Sequence, residues 1–196
     1  PGSLDGHTAD VERETGFLCD AAWLKTSAAA SETLRLAAKL HDLGKADPRF
    51  QFILNRGRWC DPANLRAKSE FRLAPAKEKR LYVYSKLPVG FRHELLSMQL
   101  AALDETTREH IDRDLLLHLI AAHHGRCRPL APVVLDVDPP SVEVSGLSCT
   151  AEQRQHTPPH RLDSGVGERF WRLTRKHGWL GLAYLEARLR CADMHA

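Results

Sequence analysis

The sequence predicts an all-α domain, a helical bundle with long irregular loops and one small β-hairpin in the 132–146 region. Apolar residues recur at helical spacing in most segments between glycines and prolines. Strand-like alternation is confined to "VVLDV" and "SVEVS", on either side of Asp138-Pro139-Pro140. At 196 residues the chain suits one domain with a substantial core. That domain is expected over 4–196, with Pro1-Gly2-Ser3 read as a cloning remainder.

Asp5 to about Leu24 is the first predicted helix. Ser31 to Leu43 is the second, ended by Gly44, a residue suited to a left-handed cap. Asp47-Pro48 restarts a short helix through about Leu54, with aspartate as N-cap and proline in the first turn. Residues 56–90 lack a clean period and contain Pro62, Pro75 and Pro88, which predicts a basic loop region. His93 to Leu103 and His110 to His124 are helices, the latter closed by Gly125. Residues 126–166 form a Pro-, Gly- and Ser-rich insert around the hairpin. Two last helices, Val166 to His177 and Trp179 to Met194, divide at Gly178.

Composition excludes several classes. No apolar run approaches the ~20 residues that cross a bilayer, and no leader pattern is present. Cys19, Cys60, Cys127, Cys149 and Cys191 are scattered and odd in number, which argues against a disulfide framework or a thiolate zinc site and for a reducing cytoplasm. Net charge is only +3, but Arg56 to Arg92 carries ten Lys/Arg against three acids. Such a segment suits a polyanion or a solvated loop. Its aromatic residues, Trp59, Phe71, Tyr82, Tyr84 and Phe91, suit stacking on single-stranded bases or packing of the loop onto the bundle.

The eleven histidines are the outlier, and several sit where leucine is expected. Leu34, Ala37 and His41 share one helical face. His7 leads a stripe with Val11, Leu18 and Ala22, and His93 leads Leu96, Leu100 and Leu103. Asp193 ends the stripe Leu182, Leu185, Leu189. Burying one imidazole or carboxylate without partners is costly, and a single case is usually a satisfied core residue. Four stripes ending alike point to one shared polar centre, most simply a metal site. His123-His124-Gly125 reads equally as a helix end whose histidines complement the dipole. His118 is expected at the core or its boundary, and His110, His156, His160 and His177 in polar surroundings.

In chain order these residues read His7, His41-Asp42 within "HDLGK", His93, His123-His124 and Asp193. The pattern resembles the HD superfamily of metal-dependent phosphohydrolases. The blocks "HDLGKADPRFQ", "LPVGFRHELLS", "AAHHGRCRP" and "LRCADMHA" are similar to the HD nuclease domain of the type I CRISPR-associated helicase-nuclease, the Cas-three family. The resemblance implies an HD-domain helical bundle. It places one metal on His7, His41, Asp42 and Asp193 and a second on Asp42, His93, His123 and His124, with Asp42 bridging. Asp42 and Lys45 would be the catalytic pair, Lys45 matching the lysine of the family's HD-x-GK motif.

The resemblance further implies a metal-dependent endonuclease cleaving single-stranded DNA, with an alternative as a phosphohydrolase of small or cyclic nucleotides. Two divalent transition-metal ions are expected, Fe2+ or Mn2+ before Ni2+ or Co2+, because imidazole-rich sites disfavour magnesium. Expected partners are single-stranded DNA, a helicase domain in cis or trans and an RNA-guided surveillance complex. The setting would be the prokaryotic cytoplasm and the protein a monomer. The sequence has no G-x-x-x-x-G-K-[ST] motif, so a helicase is not expected within it, and the final ligand block so near Ala196 suggests an excised domain.

Overall fold

Leu34, Ala37 and His41 all lie fully inside the protein, as their shared helical face requires. The structure, a computed structural model, describes residues 2–20, 26–69 and 74–196. Helix α1 (Leu4–Asp20) opens the bundle, and the rest of the predicted first helix lies outside the described residues. Helix α2 (Ala28–Leu40) starts three residues earlier than expected, because the Ser27 hydroxyl accepts the Ala30 N–H as N-cap. It also ends three residues earlier, at Leu40.

Gly44 is not the left-handed cap expected of it. It sits inside a single 3-10 turn, Leu43–Ala46. A Cβ there would overlap the His93 carbonyl oxygen and approach the Ser97 nitrogen to 2.7 Å. Glycine is needed for close packing against the next helix of the core rather than for backbone conformation. Helix α3 (Pro48–Leu54) then begins with Asp47 as N-cap, as expected.

The region predicted as basic loop contains helix α4 (Pro75–Ser85). Pro75 occupies the first turn, where its missing N–H removes no helical bond. Only Ser85 of this helix is buried, so it shows no apolar stripe for a sequence reader to find. Helix α5 (His93–Leu103) follows, then the single turn α6 (Glu105–Arg108) and helix α7 (Arg113–Ala122). Helix α7 starts three residues later than expected because the Asp112 carboxylate caps it. Gly125 closes it at φ 78°, as a C-terminal glycine does.

The hairpin exists but is displaced. Its strands are β1 (Val142–Val144) and β2 (Leu147–Cys149), paired antiparallel. Ser145 and Gly146 both have positive φ, 51° and 80°, the geometry of a two-residue hairpin turn. "VVLDV" is irregular, with Val133, Leu135 and Val137 exposed. Helix α8 (Ala151–His156), which the sequence reading passed over, starts with a Thr150/Gln153 capping box. Helix α9 (Val166–His195) runs through both predicted final helices and breaks at Gly178, φ 71°.

Helix α1 packs on α2 and α9, α2 on α7, α5 on α7, and α7 on α9. Leu96, Leu100, Leu116, Ile120, Leu182 and Leu189 fill the centre. Each such burial contributes about 1.5–3 kcal/mol. No described helix is long and apolar enough to cross a membrane, and all five cysteines are unpaired.

The 126–166 insert is fastened to the bundle by a buried ion network. Asp47, with no exposed surface, accepts hydrogen bonds from the Arg49 backbone N–H and from its guanidinium Nε and Nη2. Arg154 Nη2 reaches Asp47 Oδ2 at 3.0 Å and Asp136 Oδ2 at 3.3 Å. Asp136 also takes Arg49 Nη2 at 2.7 Å. Asp47→Ala would leave two buried guanidiniums short of a counter-charge, which typically costs about 3–5 kcal/mol. Urea unfolding of wild type and variant checks this; a loss under about 1 kcal/mol would show the network to be slack.

Candidate metal centre

Four helix ends, those of α1, α5, α7 and α9, and the turn after α2 converge on one buried point. His41 caps α2 and His123 caps α7, and both rings fold back the same way. His41 Nδ1 lies 2.7 Å from Ala38 O, and His123 Nδ1 lies 2.7 Å from Ile120 O. A carbonyl only accepts, so each Nδ1 carries the proton and each Nε2 faces inward. Both Nε2 atoms are buried and have no hydrogen-bond partner among the described residues. A buried nitrogen without a partner is costly, and two such atoms turned to one point fit the ligands of a metal cation.

Asp42, 1% exposed, stands between two groups of histidines. Its Oδ1 lies 3.1 Å from His93 Nε2 and 3.9 Å from His123 Nε2. Its Oδ2 lies 3.5 Å from both His7 Nε2 and His41 Nε2. The Lys45 ammonium donates to that same Oδ2 at 2.5 Å. Asp193 Oδ1 is 3.0 Å from His7 Nε2 and 3.6 Å from His41 Nε2. His124 Nε2 meets His93 Nε2 at 3.2 Å.

Two sets therefore have donor atoms all within 4.8 Å of one another: His7, His41, Asp42, Asp193, and His93, His123, His124. All seven residues singled out as ligands come together, and Lys45 beside them. The donor chemistry fits two divalent cations, one in each set, with Asp42 offering one oxygen to each side. His118 is elsewhere in the core, with Nε2 2.6 Å from Glu186 Oε1, and that carboxylate also pairs with Arg128. His110 bonds the Thr33 hydroxyl, while His156 and His195 are exposed.

Charge distribution matches this use. Burial lowers His123 well below the ordinary imidazole range, and His41, His124 and His93 push it further, so it stays neutral as a ligand must. Burial and then His93 lower His124 likewise. Burial opposes ionisation of Asp42, yet His41, His93 and Lys45 outweigh it and hold the carboxylate well below its usual range. Burial also opposes a charge on His41, but Asp42 and Asp193 overcome it and raise its pKa. Burial, aided by Glu94, pushes the thiol of Cys127, three residues beyond His124, up to about 12.

Several residues that shape the centre escaped the sequence reading. The Gly44 N–H donates to Ser97 Oγ at 2.8 Å, and Ser97 Oγ–H donates to His93 O at 3.0 Å, which ties the HD turn to the start of α5. Gln51 donates to Lys45 O at 2.8 Å and to Arg66 O at 2.9 Å. Phe50 places its ring centroid 5.7 Å from that of His93 and the same distance from that of Phe91. Serine, glutamine and phenylalanine in helices carry no local mark of such roles.

Comparison with known proteins agrees with this geometry. No curated protein and no solved structure matches the chain. A family model described as "Cas3, HD domain" matches residues 4–180, nearly the whole chain. Asp193 lies beyond the matched span and joins the centre through its contacts with His7 and His41. The chain thus belongs to the Cas3 HD domain family, the HD-type metal-dependent nucleases.

Proposed function

We propose that this domain cuts single-stranded DNA internally by two-metal hydrolysis of phosphodiesters, as the nuclease of type I CRISPR interference. The observation that carries the reading is Asp42, whose two carboxylate oxygens face two separate donor sets. His7, His41 and Asp193 with Asp42 would hold one ion, and His93, His123 and His124 with Asp42 the other. When bound, such a pair activates water and neutralises charge on the attacking and leaving oxygens. The imidazole-rich set favours Fe2+ or Mn2+, then Ni2+ or Co2+, over Mg2+.

The chain's own residues do the rest. Backbone carbonyls behind His41 and His123 each take up an Nδ1–H, so in both rings Nε2 is the atom turned to the centre. Lys45, side chain 11% exposed, keeps a positive charge beside Asp42 and within reach of a phosphate or leaving oxygen. His124 is exposed, so the centre opens to substrate on that side. Farther out, Trp59 and Tyr84 are exposed on the basic segment, as are Lys77, Lys79 and Arg80 of α4, which suits a single strand with stacking bases. Phe91 instead packs against Phe50, and Phe71 lies outside the described residues. A helicase in cis or trans and an RNA-guided complex would deliver the strand, in the cytoplasm.

The deciding experiment is anaerobic incubation of chelator-stripped protein with circular single-stranded DNA and, in parallel, cyclic nucleotides. Fe2+, Mn2+, Ni2+ or Mg2+ is added to each. Linearisation and then fragmentation of the circle with Fe2+ or Mn2+ is expected. Hydrolysis of the nucleotides with the circle left intact would replace this reading with that of a small-nucleotide phosphohydrolase.

A further inference from the structure

Glu94 is 1% exposed, and its Oε1 has no hydrogen-bond partner among the described residues. A buried carboxylate in that condition is an expense the fold does not need. The first turn of α5 offers it a favourable helix dipole. Its Oε2 lies 3.8 Å from His93 Nδ1, on the side of the ring away from Asp42.

The other helix-end histidines show what is missing. His41 and His123 close their helices, and each finds a carbonyl one turn back to accept its Nδ1–H. His93 opens its helix, so no helical carbonyl lies one turn behind it. The Glu94 carboxylate is the oxygen-bearing group on that side of the ring, with Oε2 3.8 Å from Nδ1.

We propose that Glu94 is a positioning residue for the second ion, its carboxylate holding the His93 ring with Nδ1–H toward Glu94 and Nε2 toward Asp42. This rests on the ligand assignment made above. A carboxylate behind a ligating imidazole fixes its tautomer and raises its basicity, and loss of such a partner typically weakens metal binding about 10- to 100-fold. The metal-free fold bears an ill-matched buried charge for the sake of the loaded site, a conflict expected at functional positions.

Stripped wild type, Glu94→Gln and Glu94→Leu would be titrated with Co2+ alone, by calorimetry and by the visible absorption of bound cobalt. Thermal melts of the metal-free proteins run beside them. Two ions are expected in wild type. Glu94→Leu should weaken the second about 10- to 100-fold, leave the first unchanged and not lower the metal-free melting temperature. Glu94→Gln, which keeps an acceptor oxygen, should fall between, and it serves alone if the leucine variant does not fold. Two ions bound by the variants as tightly as by wild type would overturn the inference and leave the two-metal reading standing. A lowered metal-free melting temperature with unchanged affinities would make Glu94 a structural residue only. Fewer than two ions in wild type would overturn both.

Discussion

Asp42→Ala is expected to lose at least about 10³-fold in DNA cleavage, roughly 4 kcal/mol of barrier, with neither ion retained at micromolar concentration. The size follows from the carboxylate's position. Oδ1 faces His93 and His123, and Oδ2 faces His7 and His41, so a single deletion reaches both donor sets. The deletion also removes the partner of Lys45, whose ammonium is nearly buried. That ammonium would then sit among imidazoles, an additional barrier to any cation. Asp42→Asn should be milder in stability, since its amide oxygen still accepts from Lys45. Cleavage rates, metal content and a circular-dichroism melt together make the check. An alanine variant that keeps two ions and a tenth of wild-type activity would show that Asp42 is not shared.

Gly44→Ala is expected to be the most damaging substitution that removes no functional group. The added methyl meets main-chain atoms, the His93 carbonyl oxygen and the Ser97 nitrogen, none of which can rotate away. The chain must therefore move α5 or the HD turn, breaking the Gly44 N–H···Oγ Ser97 bond. His93 starts α5 and Asp42 starts the turn, so any such movement separates the 3.1 Å pair they form. A displacement of about 1 Å at a catalytic constellation can cost ~10²-fold in rate. The variant should melt well below wild type and, where folded, cleave at least about 10²-fold more slowly. A normal melt with normal cleavage would mean that the turn and α5 are not in close contact in solution.

The convergence of ligand-type residues was legible because each clue is local to one helix. A 3.6-residue period puts His41 in line with Leu34 and Ala37, and Asp193 in line with Leu182, Leu185 and Leu189, without knowledge of any other helix. The break at Gly178 and the closure at Gly125 are local in the same sense, since both need positive φ. Helix α4 stayed hidden because a helix solvated on nearly every side leaves no stripe. The hairpin was misplaced because "VVLDV" alternates as a strand does, yet Ser145-Gly146 supplies the turn and selects Leu147–Cys149 as partner.

Periodicity within single helices thus settled the fold class and which polar side chains end the apolar stripes. Everything that depends on how helices cross lay beyond it. His7 and Asp193 are 186 residues apart and come within 3.0 Å through the packing of α1 against α9. The division of Asp42's two oxygens, the need for glycine at position 44 and the burial of Glu94 Oε1 without a hydrogen-bond partner among the described residues arise where backbones and side chains from distant segments meet. Asp47, Asp136 and Arg154 tie the insert down by the same kind of contact, between groups whose burial no local pattern records. The physical reason is common to all of them: burial and close approach are properties of pairs of elements, whereas a sequence displays its periods one element at a time.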